Sequence, residues 1–439
     1  MQAKVLKIHN YRSIVDSEIA LTRYSVLAGE NNAGKSNTIA AILLFYKQLK
    51  WRDSDSPQFE TRDQECWVEI SYSLEPVEHE WLQKEYPSID NDLRLRFYVK
   101  TLEKYGNGKS REGRYFPYID GEIADKPFPE SKLGAGGLGR IIYIPAVSRL
   151  EDQVKLTGPS PFRELVGLVL GSSIGITDAF ATLRLAFNAF ERQLRQETQG
   201  GRSLIALEQE ITGELSSWQG SFEIGVNQIE PAELVKNSVR PYVRDPHSGK
   251  PVEPDQLGSG HQRSIIFALL KLSSRYKADQ AFEQDSSRSD TPLSLTWLLF
   301  EEPETFLHPI QIDSQYRSLV DLAKLEGHQV TVTTHNPAFL SRSMEDLSSL
   351  VRVHRQDSGT QARQVTQEDL RLIFQDNQTI NAAWKAARVG VAEDDLTLEM
   401  ESIKYSLWLN PQRAAAFFAR KVVIVEGPTE VAVINYLID

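Results

Sequence analysis

Ser25-Val26-Leu27-Ala28-Gly29-Glu30-Asn31-Asn32-Ala33-Gly34-Lys35-Ser36-Asn37 is the stretch from which the rest of the chain is read. Gly29 to Ser36 fits the pattern of a glycine, four residues, then Gly-Lys-Ser/Thr without a mismatch. The apolar run before it reads as a buried strand, and TIAAILLFYKQL after it carries apolar residues at helical spacing. In that setting the glycines let successive backbone N–H groups curl around phosphates, and the helix N-terminus adds partial positive charge. Lys35 then reaches β and γ oxygens, and Ser36 ligates Mg2+. Gly29, Asn31, Asn32, Gly34, Lys35, Ser36 and Asn37 are the nucleotide-binding candidates, against the rival reading of a chance Gly-rich turn.

Outward from the loop, KVLKIH (residues 4–9) alternates as a strand and meets the turn NYRS. WVEISYSL and LRLRFYVKTL read as strands of an antiparallel lobe, with a Gly-Asn-Gly turn in YGNGKSREGRYF. Ile141 to Ile144 is a short buried strand ended by Pro145. Residues 160–218 change texture to long helical periodicities, a packed subdomain or a dimerisation arm. Residues 277–291 are polar and read as an exposed loop, and residues 378–419 are again helical.

Trp297 to Phe300 is an apolar strand that delivers Glu301 and Glu302 at its carboxyl end, where ligands of open parallel sheets bind. Adjacent carboxylates there serve either as two solvated acids or as a metal ligand (Glu301) beside a water-polarising base (Glu302). Thr333-Thr334-His335-Asn336-Pro337 follows a second β-rich run, so His335 emerges at the same edge, where it can bond a γ-phosphate. Between these elements lies Leu257-Gly258-Ser259-Gly260-His261-Gln262-Arg263, by itself an ordinary helix cap. The alternation of strands and helices predicts an α/β fold with a parallel sheet.

Taken in order, GENNAGKSN, LGSGHQR, LLFEEPETFLHP and TTHNP resemble the SMC/RecF branch of ABC ATPases, and most of all the OLD (overcoming lysogenization defect) nuclease family. The resemblance implies ATP and Mg2+ as cofactors, with Lys35 and Ser36 on nucleotide and metal, Glu301 on metal, Glu302 activating water and His335 sensing the γ-phosphate. Glu301 stands where aspartate is usual. Ser259 and Gly260 would meet the triphosphate held by a second copy, which implies a homodimer or higher homo-oligomer. In that family the ATPase is followed by a Toprim domain, whose opening strand and turn resemble Val422-Val423-Ile424-Val425-Glu426-Gly427-Pro428-Thr429-Glu430. Glu426 and Glu430 are then metal-site candidates of a DNA endonuclease, against the rival of a plain strand-to-helix turn. A prokaryotic antiphage role follows by the same resemblance, with DNA as a partner and a companion defence protein or nucleic-acid element beside it.

The expected organisation is an ATPase part over 1–158, a helical insertion over 159–220, a second ATPase part over 221–376, a helical linker over 377–419 and the start of an incomplete Toprim domain over 420–439. The rival functions are an SMC-like DNA repair ATPase without nuclease activity and a nucleotide-sensing scaffold that closes without turnover. The 439 residues are 41% hydrophobic and 25% charged, ordinary globular composition for about two or three domains. No apolar run reaches the ~18 residues of a membrane span, and MQAKVLKIHNYRS lacks a signal's apolar stretch, so a cytoplasmic protein is expected. The single cysteine, Cys66, excludes an internal disulfide framework. A net charge of −11 argues against a surface basic all over but permits a local basic groove.

Overall fold

A computed structural model of the chain describes residues 1–57, 59–83, 92–106, 108–128, 138–146, 178–196, 203–215, 221–224, 241–244, 248–258, 260–262, 264–269, 295–305, 307–340, 347–365, 418–419 and 422–438, with 272, 369 and 372. The chain divides into a first unit of residues 1–147 with 288–439 and a second of residues 148–287.

The first unit opens with β1 (Gln2–Tyr11), β2 (Ile14–Ala20), β3 (Tyr24–Ala28) and α1 (Lys35–Phe45). β4 (Cys66–Ser73), α2 (Pro76–Gln83), β5 (Asp92–Lys100), β6 (Lys104–Tyr105), β7 (Lys109–Ser110), β8 (Tyr115–Ile119), β9 (Glu122–Ile123) and β10 (Arg140–Ile144) follow. The second unit holds α3 (Asp178–Gln196), α4 (Leu204–Glu214), β11 (Val243–Arg244) and β12 (Pro251–Val252). The first unit resumes with β13 (Thr296–Glu301), α5 (Pro309–Lys324), β14 (His328–Thr334), β15 (Leu350–Gln356), β16 (Gly359–Gln364) and α6 (Pro428–Ile438).

Among the described residues one sheet runs β10-β13-β14-β3-β15-β16-β2-β1-β4-β5-β8-β9. The block from β10 to β15 is parallel, and the end from β2 to β9 is antiparallel. The sequence texture follows this division. Parallel strands covered on both faces read as continuous runs, and every residue of β14 is buried. In the antiparallel lobe one face packs and the other is partly wet, so β5 alternates Leu93, Leu95 and Phe97 inward with Arg94 and Arg96 outward.

The outward face of that lobe is not simply solvated. Glu69 of β4 has no exposed surface; Arg94 donates to one of its oxygens, and Arg96 (2.9 Å) and the Tyr118 hydroxyl (2.7 Å) donate to the other. Arg96 also lies 3.7 Å over the Trp67 ring and Arg94 3.8 Å over the Tyr118 ring, so both guanidiniums are stacked as well as paired.

Helix α1 is buried around its whole circumference from Thr38 to Phe45, as a helix apolar on every side must be. Phe45 meets Phe97 and Tyr115 edge-on, and Tyr46 meets Trp297, whose ring N–H donates to the Thr331 hydroxyl at 2.9 Å. These contacts anchor the carboxyl end of α1 against β5, β8 and β13.

In the second unit, α4 starts at Ser203, whose hydroxyl accepts the Ala206 N–H at 3.0 Å. α3 and α4 both fall within the helical insertion expected from sequence. The helical periodicities at 160–177, the loop at 277–291 and the helices at 378–417 lie outside the described residues.

One expectation is corrected. Residues 422–425 are not a strand; no described strand pairs with them, and Val423 and Ile424 are 73% and 93% exposed. A β segment is stable only with a neighbour to take its backbone hydrogen bonds and a surface to cover its side chains, and the described fold offers this segment neither. The turn and the helix α6 after it are as the sequence reads. No helix among the described residues is long and apolar enough to cross a membrane.

Candidate nucleotide-binding site

Strand register sets the site. Thr334 of β14 lies opposite Ala28 of β3, and Glu301 of β13 opposite Thr333 of β14. The carboxyl ends of three adjacent parallel strands therefore level out together, and Gly29, Glu302 and His335 are the next residues beyond them.

The loop's two end glycines are each required by a neighbour. A Cβ on Gly29 would stand 2.1 Å from the Val353 carbonyl oxygen, and one on Gly34 would stand 2.4 Å from the Thr360 hydroxyl. Gly34 also has φ 110°, a left-handed conformation that lets α1 start directly from the loop. The Thr360 hydroxyl sits 2.9 Å from the Ala33 carbonyl and 2.8 Å from the Ser13 hydroxyl, which in turn accepts from the Asn37 amide at 2.7 Å. Asn31, Asn32 and Ser36 are exposed.

Lys35 is only 6% exposed, and its Nζ donates to the carbonyls of Gly29 (2.8 Å) and Glu30 (2.9 Å). Burial pulls its pKa below the usual lysine range, against the opposing pull of Glu302, Glu304 and Glu301. All three carboxylates from the end of β13 thus lie within electrostatic reach of the loop lysine. An ammonium taken out of water and resting on carbonyl dipoles fits a polyphosphate.

Glu302 takes φ 43°, a left-handed conformation that costs a non-glycine residue roughly 1–2 kcal/mol. Its N–H bonds the Thr333 carbonyl at 2.8 Å and so holds the turn, while Thr305 donates to its carboxylate at 3.3 Å. His335 Nδ1 lies 3.8 Å from Glu302 and 3.5 Å from Glu304, and its side chain is 49% exposed. Lys35, Glu302 and His335, expected to converge, are brought to one edge. Glu301 is buried and accepts from the Tyr143 hydroxyl (3.1 Å) and the Ala146 N–H (3.5 Å). Burial and then Glu301 itself push the Tyr143 phenol well above its ordinary range, so it stays a donor.

Some residues of the site were not singled out from sequence. Glu304 is buried and accepts the Thr334 hydroxyl (2.7 Å) and the His335 N–H (3.0 Å) on one oxygen; no described donor reaches the other. Tyr143 and Thr360 carry no motif, and only their place in the fold marks them. His308, part of the motif run, caps α5 with a capping box to Gln311.

Ser259 lies outside the described residues. Gly260 opens the helical run that follows, in the second unit, where the Gln262 N–H bonds the Gly258 carbonyl at 3.1 Å. Glu426 and Glu430 are exposed, and among the described residues no three His, Cys, Asp or Glu side chains gather as a metal cage.

The family model AAA_15, the AAA ATPase domain, matches residues 1–131 and 177–340. The Old nuclease of Escherichia phage P2 is 26% identical over 453 residues, covering 98% of this chain and 69% of that protein. The OLD nuclease of Thermus scotoductus is 31% identical over 137 residues, 31% of this chain and 22% of that protein. Among solved structures, an SMC head bound to the C-terminal winged-helix domain of ScpA is 16% identical, covers 84% of this chain and 99% of its own, and superposes with a TM-score of 0.48. The loop, the carboxylate strand and the histidine strand all fall inside the matched family residues, and the chain belongs to the AAA ATPase domain family.

Proposed function

We propose that this ATPase binds Mg2+-ATP in the Gly29–Asn37 loop, closes as a homodimer around it and gates a Mg2+-dependent DNA endonuclease in prokaryotic antiphage defence. Lys35 leaves the carbonyls of Gly29 and Glu30 for the β and γ oxygens, and the loop N–H groups take the remainder. The Ser36 hydroxyl and the Glu301 carboxylate are the groups to hold the metal, which when bound supplies charge neutralisation on the β and γ oxygens. Glu302 orients the attacking water and takes its proton, while His335 donates to the γ-phosphate. Ser259 and Gly260 serve the triphosphate of the second copy.

The observation that carries this reading is Glu302: a carboxylate in a strained turn fixed by Thr333, 3.8 Å from His335 and within electrostatic reach of the lysine of the loop. The nuclease half rests on the Old nuclease of phage P2 and on Glu426 and Glu430 as its acids.

Glu302→Gln is the test. Hydrolysis should fall by about 10²–10⁴-fold, the range of a lost general base, with ATP affinity kept. Phosphate release at the wild-type rate refutes the assignment. Mg2+-dependent nicking of supercoiled DNA that Glu426→Ala abolishes, with ATP hydrolysis intact, supports the nuclease; nicking that survives removes Glu426 from it.

A further inference from the structure

The hairpin of β15 and β16 touches the phosphate loop at both of its end glycines, through the Val353 carbonyl at Gly29 and the Thr360 side chain at Gly34. The same hairpin holds the chain far along the sequence. Arg352, in register with Ala28 just before the loop, donates to the Ala419 carbonyl at 2.6 Å. Phe418, the residue before Ala419, faces a cavity of about 550 Å³ whose walls include Asn31 and Asn32 of the loop and Arg352 and His354 of β15. Ala419 is three residues before Val422, where the exposed run to Glu426 and α6 begins.

Thus the loop that would take a triphosphate and Phe418 line one cavity, and the hairpin that touches the loop holds Ala419 by a charge-assisted hydrogen bond. Lys35 bears on that wall directly, since Gly29 and Glu30, whose carbonyls it holds, also line the cavity. A lysine drawn off to phosphate releases both carbonyls, which belong to the wall that Phe418 faces. Interfaces of packed side chains respond to such shifts by changing between discrete arrangements.

We infer that the contact of Arg352 with Ala419, together with the seating of Phe418, transmits occupancy of the phosphate loop to residues 418–430. Arg352 is a positioning residue in this scheme, acting on the C-terminal segment and not on the nucleotide. The inference rests on the ATP-binding reading above and deepens it by naming how that site regulates the C-terminal acids.

Amide hydrogen exchange on the full chain, with and without a non-hydrolysable ATP analogue and Mg2+, tests it. In the wild type, nucleotide should change exchange across 418–430 by at least about fivefold, the lower end of ordinary allosteric coupling. Arg352→Gln should lose that change while its affinity for the analogue stays within about threefold, an outcome a merely structural role does not give. Phe418→Ala, a milder substitution at a half-buried position, should weaken the change in the same way. A nucleotide response in both variants equal to the wild type's overturns the coupling, as does a wild type that binds the analogue with exchange at 418–430 unaltered. A wild type that fails to bind the analogue overturns the ATP-binding reading and this one together.

Discussion

Glu304 holds the backbone of His335: one carboxylate oxygen accepts the His335 N–H at 3.0 Å and also the hydroxyl of Thr334 at 2.7 Å. The bond ties the turn after β13 to the turn after β14, so the histidine and Glu302 keep their spacing through a third, buried acid. Glu304→Leu should therefore lower kcat for ATP hydrolysis by about 10²-fold, the penalty for roughly an ångström of misplacement, with KM little changed. Glu304→Gln keeps an acceptor oxygen and should retain most of the activity. Steady-state phosphate release on the two variants checks this, and equal losses in both would mean the negative charge matters more than the tether.

The fit of Thr360 against Gly34 leads to a second expectation. Gly34→Ala places a methyl group into the Thr360 side chain and also forces alanine to φ 110°, so nucleotide binding should be lost. Adding Thr360→Ala removes the two closest contacts, leaving the Thr360 Cβ at 3.0 Å, but does not change the backbone conformation, and the double variant should recover only part of the affinity. Full recovery in a nucleotide titration would show that the Thr360 hydroxyl and methyl, and not the backbone conformation, require the glycine.

In the antiparallel lobe, Glu69 is fully buried beneath Arg94 and Arg96, which are themselves partly exposed. Removing the carboxylate leaves two guanidiniums and a phenol without their acceptor. Glu69→Ala should cost about 2–3 kcal/mol in urea unfolding, below the roughly 3–5 kcal/mol of a fully buried pair because water reaches the arginines. Hydrolysis by the folded variant should be near normal, since the network lies on the lobe and not at the loop.

His354 gives a pH signature. Burial, and then the charges of Arg363 and Arg352, hold its imidazole below the usual histidine pKa. Between that lowered value and the ordinary value of about 6.5, the unfolded chain binds more protons than the folded one, so stability rises with pH there. The contribution is present above about pH 6.5 and is lost as pH falls through the folded-state value. Unfolding free energies from about pH 5 to 7 should fall more steeply toward acid in the wild type than in His354→Gln. Parallel curves would show that the ring is protonated freely in the fold.

How much of this was legible in the sequence depends on the range of the interaction involved. The loop, α1, and the ends of β13 and β14 are specified by neighbours within about ten residues, through periodicity and a glycine pattern, and these stand as read. Val422 to Val425 has equally good local β character, yet local propensity does not supply a pairing partner. Glu304 lies inside a quoted motif, but its role depends on Thr334 and His335, about thirty residues downstream, and no local pattern marks it. Tyr143 and Thr360 carry no pattern at all.

By itself the sequence determined the chemistry at each strand end: a lysine loop, two adjacent glutamates and a histidine, each emerging where a buried strand stops. Only the tertiary structure decided that β13, β14 and β3 are neighbours in register, that Glu302 turns through a left-handed conformation, and that a hairpin from residues 350–364 closes on both glycines of the loop. The reason is that strand order and side-chain packing are settled by contacts between segments hundreds of residues apart, which no window of local sequence encodes.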